Sequence, residues 1–113
     1  MSIQVDTAFV WVTDLDESVE WYGKLGIKPG PRYATWQRME LDGDTQFALH
    51  QGLREPGPST AVIALRVDDL EEKIDELAAA GIEPADPTIT DTSAVRFVTY
   101  HDPDGNEIQV LER

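Results

Sequence analysis

The chain has 113 residues, 41% of them hydrophobic, and a formal net charge of −13 from 22 acidic and 9 basic residues. This length predicts one folded domain with a modest core, and the acidity excludes nucleic acid as a partner, because phosphate binding needs Lys and Arg. Without cysteine, a leader pattern or an apolar run of membrane-spanning length, the sequence predicts a cytoplasmic protein with no membrane partner.

The acidity itself has two interpretations. It can attract a cationic small ligand, or it can serve solubility, for example in a salty cytoplasm, where a chain with three lysines and many carboxylates would fit. The sequence favours the second interpretation and leaves the first open.

An internal repeat organises the chain. The blocks 12–27 and 67–82 align without a gap at an offset of 55 residues, so that Gly26 recurs as Gly81. Each block has apolar residues at i, i+4 and i+7, which predicts an amphipathic helix, and each glycine can take the left-handed conformation that ends a helix. The stripes are Leu15, Val19 and Tyr22 in the first block and Leu70, Ile74 and Leu77 in the second.

Acidic residues precede both stripes. Asp14 with Glu17, and Asp68 with Glu71, resemble capping boxes in which Asp replaces Ser or Thr. They predict where the two helices begin.

Alternating apolar residues predict strands around each helix. The strand patterns are 7–12, 33–41 and 46–51 in the first half and 62–67, 94–100 and 107–112 in the second, with room for short extra strands near 28–33 and 83–90. Asp42-Gly43 and Asp104-Gly105 mark matching hairpin turns, and two prolines and two glycines within 51–59 predict a linker.

These motifs resemble the vicinal oxygen chelate superfamily, the group of glyoxalases, bleomycin-resistance proteins and extradiol dioxygenases. The resemblance rests on Trp21-Tyr22 with Leu25-Gly26, on Val-x-Asp-Leu before both helices, and on the hairpin 102–106, Asp-Pro-Asp-Gly-Asn. It implies an α+β fold of two tandem βαβββ modules forming a curved mixed sheet with the helices on its convex side. The expected organisation is a single domain, 1–113, with module 1 at about 1–52, the linker at about 51–59 and module 2 at about 60–113.

The resemblance also identifies four positions where the family's enzymes hold a divalent metal. Thr7 and Val62 stand where first-strand histidines would be, and Ala48 and Gln109 stand where last-strand metal ligands would be. None of the four is a good ligand for a divalent metal, which prefers imidazole, carboxylate or several oxygens. We therefore expect no metal and no cofactor, and Gln109 becomes a neutral hydrogen-bonding group for an organic ligand.

Aromatic side chains supply further ligand-binding candidates. Phe9 and Trp11 share the Thr7 face of their strand and Trp36 can join them, so that flat rings would stack on a planar or cationic ligand; a dimer interface or ordinary core is the alternative for Trp11. His50 lies on the same face as Ala48. It is a candidate general base or displaced metal ligand, and the alternative is a half-exposed histidine at the end of its strand. Arg66, the counterpart of Trp11 in the repeat, either pairs with a ligand carboxylate or is a solvated strand-end charge.

Taken together, the residues and the resemblance favour a metal-free, non-catalytic small-molecule-binding protein with no catalytic residues, similar to the homodimeric, drug-sequestering bleomycin-resistance proteins. The alternative is a glyoxalase- or dioxygenase-type enzyme whose metal is held by His50 with Glu40 or Glu107. A third hypothesis is an accessory module with no ligand of its own.

Overall fold

The structure is a computed structural model that describes residues 5–52, 62–92 and 94–113. The chain divides into two compact units, Met1–Pro56 and Gly57–Arg113, and each is described by itself. Within the described ranges, no helix is long and apolar enough to cross a membrane.

The first unit is a four-stranded mixed sheet with one helix. Its strand order is β1-β4-β3-β2, with β1 parallel to β4 and the other neighbours antiparallel. The elements in chain order are β1 Thr7–Val12, α1 Leu15–Leu25, β2 Lys28–Tyr33, β3 Trp36–Glu40 and β4 Gln46–Gln51.

The second unit repeats this topology. Its order is β5-β8-β7-β6, again with one parallel pair, β5 with β8. Its elements are β5 Val62–Arg66, α2 Leu70–Ala79, β6 Thr90–Asp91, β7 Arg96–His101 and β8 Glu107–Glu112. The α+β class and the two tandem βαβββ modules are confirmed.

Both helices begin at an aspartate. The Asp14 side chain accepts a hydrogen bond from the backbone N–H of Glu17 at 3.0 Å, as predicted. The second helix, however, begins at Asp69, whose carboxylate accepts from the N–H of Glu72 at 3.0 Å. The prediction of Asp68 as the cap was wrong by one residue, and the 55-residue offset from Asp14 leads to the residue that the structure shows.

The last strand of each unit also reaches the first turn of its own helix. The Gln51 side-chain oxygen lies 3.4 Å from the backbone nitrogen of Leu15, and a carboxylate oxygen of Glu112 lies 3.1 Å from that of Leu70. Because the first N–H groups of a helix lack partners within the helix, this acceptor fastens the helix to the final strand of its unit.

The core of each unit lies between the helix and one face of the sheet. In the first unit Tyr22 of α1 is fully buried and meets Phe47 of β4 edge-on, with ring centroids 5.6 Å apart. In the second unit Leu77 of α2 and Ile108 of β8 are fully buried. Burial of such side chains stabilises each unit by about 1.5–3 kcal/mol per residue.

Several strand boundaries in the structure differ from the predicted ones. Tyr33 belongs to β2 rather than to the following strand, because the chain turns at Ala34, whose φ of 50° is uncommon for a residue other than glycine. Near 83–90 only the two-residue β6 forms, next to a segment interrupted by Pro84 and Pro87. The predicted linker lies outside the described residues from position 53 onward.

The hairpin 102–106 is held by a buried carboxylate. Asp102 accepts hydrogen bonds from the backbone N–H of Asp104 at 3.0 Å and of Asn106 at 2.8 Å, and from the Asn106 side chain at 2.8 Å. Gly105 has a φ of 83°, which a glycine adopts without strain. The motif therefore has a structural role in joining β7 to β8.

Candidate functional site

Each sheet has one face against its helix and an opposite face, here called the outer face. Side chains alternate between the faces along a strand, and residues opposite each other in neighbouring strands share a face. Phe9 is opposite Ala48, and both Trp11 and Trp36 are opposite His50. The structure therefore brings these five predicted site residues onto one outer face.

Four rings on this face are in contact, and we call them the aromatic cluster: Phe9, Trp11, Trp36 and His50. The Phe9 ring lies 5.7 Å from Trp11 and 5.2 Å from Trp36, measured between centroids. The His50 ring stacks on Trp11 at 4.3 Å and meets Trp36 edge-on at 5.3 Å. Phe9 is 43% exposed and Trp11 40%, so the cluster presents flat apolar surface on which a planar molecule can stack.

Trp11 is held from two sides. His50 stacks on one side with an interplanar angle of 21°. Gly52 supports the ring elsewhere, since a Cβ atom added there would lie 2.7 Å from Cζ3 and 2.9 Å from Cε3 of Trp11. A side chain at position 52 would have to displace the indole, so Gly52 leaves the space that this position of Trp11 requires.

His50 has hydrogen-bonding capacity that the fold leaves unused. Its Nδ1 atom is enclosed and has no hydrogen-bond partner among the described residues, although an imidazole nitrogen can donate or accept. The ring itself packs against Trp11, on which it stacks at 4.3 Å.

Thr7 and Ala48 offer little to a metal ion. The Thr7 hydroxyl donates a 2.7 Å hydrogen bond to a carboxylate oxygen of Asp6. Ala48 is 1% exposed and lies between Phe9 and Arg38 in the register. Ala48 therefore places a small side chain between the larger Phe9 and Arg38 on this face.

In the second unit Gln109 lies on the outer face of the sheet. It is opposite Ala64 and Thr99 and partly buried, whereas its neighbours Ile108 and Val110 are 0% and 1% exposed. This is the orientation that the alternation predicts, because a one-residue slip would place the polar groups in the core.

Val62 and Arg66 share the outer face of Ala64, two residues before and after it. Val62 is 42% exposed. Arg66 is exposed and forms no ion pair with any residue that the structure describes. Participation of Val62, Arg66 and Gln109 in the same site as the aromatic cluster stays a prediction.

Two residues on or beside the first outer face, Arg38 and Gly52, were not predicted from the sequence. Arg38 lies two residues after Trp36 on β3, so the same alternation would have identified it. Gly52 carries no such signal, because its contact with Trp11 depends on the rotamer of the indole.

The densest group of charges in the second unit lies on the helix-facing side. Arg96 pairs with Glu71, and also with Asp91 at 3.6 Å and Glu112 at 3.5 Å. The hydrogen bond from Arg96 lowers the pKa of the Glu71 carboxyl below its ordinary value and raises the pKa of Arg96. These contacts join β7 to α2 and have a structural role.

No group of three or more His, Asp or Glu side chains suited to a metal ion occurs within residues 5–52, 62–92 and 94–113. The alternative metal pair proposed from the sequence also fits poorly in the first unit. Trp36 is opposite His50 in the register, and Glu40 lies four residues after Trp36 on β3. Four residues span about 13 Å along a strand, so the backbones of Glu40 and His50 are far apart. The Glu40 carboxylate lies against Gly30, since a Cβ atom added there would meet Glu40 Oε1 at 2.6 Å.

A family model described as the Glyoxalase/Bleomycin resistance protein/Dioxygenase superfamily matches residues 4–110. The chain belongs to this superfamily. No curated protein sequence matches this superfamily member significantly.

Solved structures show how widely its fold is used. A glyoxalase/bleomycin resistance protein from Catenulispora acidiphila is 28% identical, with a TM-score of 0.77 and coverage of 97% of this chain and 99% of that one. A bleomycin-binding protein in complex with bleomycin is 22% identical, with a TM-score of 0.78 and 99% of both chains covered. The oxidase ChaP-H2 is 20% identical, with a TM-score of 0.73, 100% of this chain and 95% of that chain covered. The last two show a shared fold only, and binding protein and oxidase alike carry it.

Proposed function

We propose that this superfamily member is a metal-free small-molecule-binding protein whose site includes the outer face of the first sheet. The observation that carries the proposal is the aromatic cluster, in which Phe9 and Trp11 stay two-fifths exposed although they touch other rings. An exposed apolar surface with fixed ring geometry suits a planar ligand.

The donor chemistry supports binding rather than metal catalysis. Where the resemblance places metal ligands, Ala48 and Val62 have no side-chain donor atom, Thr7 bonds Asp6, and Gln109 supplies a neutral amide. The binding of bleomycin by a protein of the same fold is consistent with this proposal. The sequence left open whether the ligand is cationic or only planar.

A neutral planar probe tests the site without favouring either charge. We expect 2-naphthamide to bind and to quench tryptophan fluorescence, and Trp11→Leu to weaken this binding roughly tenfold, because the stacking surface is lost. Trp21→Leu is the matched control: Trp21 lies on α1 against Tyr22, at 4.9 Å between ring centroids. Affinity that is equal in Trp11→Leu and in the unchanged protein would contradict the proposal.

The enzyme alternative is tested on the same protein. Dialysis against zinc, nickel, iron(II) or manganese(II), followed by measurement of bound metal, should give less than one equivalent. One tightly bound equivalent that is lost in His50→Ala would favour the glyoxalase- or dioxygenase-type enzyme.

We also propose that the protein is a homodimer in solution, in which the second copy covers the part of the apolar surface around Phe9 and Trp11 that a bound ligand leaves exposed. Sedimentation equilibrium at micromolar concentration should give twice the chain mass of 12.6 kDa. A monomer at that concentration would refute this part of the proposal.

A further inference from the structure

Negative charge is scarce on the first outer face, although the chain as a whole carries −13. By register and alternation, the charged residues that the strands of the first unit place on this face are Lys28, Arg38 and Glu40. Acidic residues occur instead on the helix, where Asp16 and Glu17 occupy the first turn of α1. The strands that carry the aromatic cluster therefore contribute little to the acidity of the first unit.

Arg38 is the cation nearest to the cluster in the register. It lies two residues after Trp36 on β3 and is opposite Ala48, which is itself opposite Phe9. Adjacent strands are about 4.8 Å apart, so the Arg38 and Phe9 backbones are separated by about 10 Å, with small Ala48 between them. A planar ligand that rests on Phe9 and Trp11 would have to extend along the sheet past the Trp36 ring, which lies 5.2 Å from Phe9, to reach the Arg38 side chain.

Arg38 has no ion-pair partner among the residues that the structure describes, and it is partly buried. The arginines on the helix-facing sides differ: Arg32 pairs with Asp16 at 2.9 Å, and Arg96 has three carboxylate partners. In a chain with 22 acidic residues, an arginine without such a partner beside an exposed aromatic surface is an available anion-binding group.

Among the described residues of the first unit, two carboxylates adjoin this face: Glu40 on β3, and Asp6, which accepts a hydrogen bond from Thr7 at the start of β1. Glu40 is held over Gly30 of β2, whereas Phe9 and Trp11 lie on β1 at the opposite edge of the sheet order β1-β4-β3-β2. A cation on the rings would gain a cation–π interaction, but it would lie near the positive charge of Arg38, and the Asp6 carboxylate already accepts a hydrogen bond from Thr7.

We propose that the ligand is a planar aromatic anion, such as an aromatic carboxylate, whose rings stack on Phe9 and Trp11 while its anionic group binds the guanidinium of Arg38. This inference rests on the proposed function and names the ligand class for that site. A guanidinium can form two parallel hydrogen bonds with one carboxylate, which a lysine ammonium does not reproduce.

Three probes of similar shape and different charge test the inference: 2-naphthoate, 2-naphthamide and 2-naphthylmethylammonium. Affinities are measured by calorimetry in about 0.15 M salt, where the field of distant carboxylates is screened beyond about 8 Å. We expect 2-naphthoate to bind about tenfold more tightly than 2-naphthamide, since a hydrogen bond to a charged group adds that much, and we expect the ammonium probe to bind most weakly.

Substitutions then assign the selectivity to one side chain. Arg38→Gln should weaken 2-naphthoate about tenfold and leave 2-naphthamide within about twofold, which also shows that the variant is folded and its site intact. Arg38→Lys should retain only part of the preference. Lys24→Gln, which removes the same charge from α1, should leave the affinities of all three probes within about twofold of those of the unchanged protein.

The outcomes separate the two proposals. If none of the three probes binds, the proposed function fails. If 2-naphthamide binds but 2-naphthoate binds no more tightly, or if the ammonium probe binds best, or if Arg38→Gln leaves 2-naphthoate unaffected, the anion inference is overturned and the binding function stands.

Discussion

A pair of Gly→Ala substitutions tests the geometry around Trp11. A Cβ atom at Gly52 would come within 2.7 Å of the indole, and one at Gly23 in α1 would meet nothing within 4 Å. Optimal carbon–carbon contacts are about 3.5–4.0 Å, so Gly52→Ala must displace the ring by about 1 Å and disturb its stacking on His50.

The two variants should have opposite effects on stability. Overpacking typically costs about 1–3 kcal/mol, and the stiffer unfolded chain offsets about 0.4–1 kcal/mol, so Gly52→Ala should lower the free energy of unfolding by about 1 kcal/mol. Gly23→Ala should raise it by about 0.5–1 kcal/mol, because glycine in a helix interior is unfavourable. These changes correspond to a fall in Tm of about 4 °C for Gly52→Ala and a rise of about 2–4 °C for Gly23→Ala.

Urea denaturation followed by circular dichroism measures both stability differences, and the NMR shift of the Trp11 indole N–H reports ring displacement. Gly52→Ala should also weaken 2-naphthamide binding, whereas Gly23→Ala should not. If Gly52→Ala is as stable as the unchanged protein and the indole resonance stays in place, the close contact between Gly52 and Trp11 does not exist.

Three further predictions concern stability. Raising the salt concentration from about 0.01 M to about 1 M shortens the screening length from about 30 to about 3 Å, so the Tm should rise if carboxylate repulsion destabilises this acidic fold; an unchanged Tm excludes that explanation. The Tyr100 hydroxyl is enclosed without a hydrogen-bond partner among the described residues, and burial, with Glu83 adding to it, raises its pKa above the ordinary value of about 10. The unfolded chain therefore loses this proton first, so stability should fall above about pH 10, and Tyr100→Phe should reduce that fall without lowering stability at neutral pH; an identical alkaline profile in the variant would contradict this. Asp102→Ala should lower the free energy of unfolding by about 2–3 kcal/mol in urea denaturation, because its amide donors lose their acceptor, and a loss below about 0.5 kcal/mol would mean that water replaces the carboxylate.

Much of the fold follows from periodicity. The 55-residue repeat located both helices and the left-handed Gly26 and Gly81, since helix stripes and end signals are local features of sequence. The errors have local causes as well. Asp68 was confused with Asp69 because two adjacent acidic residues both satisfy the capping pattern, and the turn at Ala34 was missed because alanine gives no signal for a positive φ.

The sequence predicted which residues share one face of the sheet, but it did not predict how their side chains pack. Alternation placed Phe9, Trp11 and His50 on one side of their strands, because the side-chain period of a strand is fixed. The stacking of His50 on Trp11 depends on side-chain rotamers and on the space left by Gly52, which no pattern of residue types encodes. The free Arg38 was missed because charge pairing is a property of three-dimensional neighbours.

The contact from each final strand back to its own helix has a topological consequence. Because Gln51 bonds the first turn of α1 and Glu112 that of α2, each unit completes its sheet and fastens its helix with residues of its own. Exchange of one unit between two copies of the chain would therefore break none of the strand pairings of either sheet and neither of these contacts.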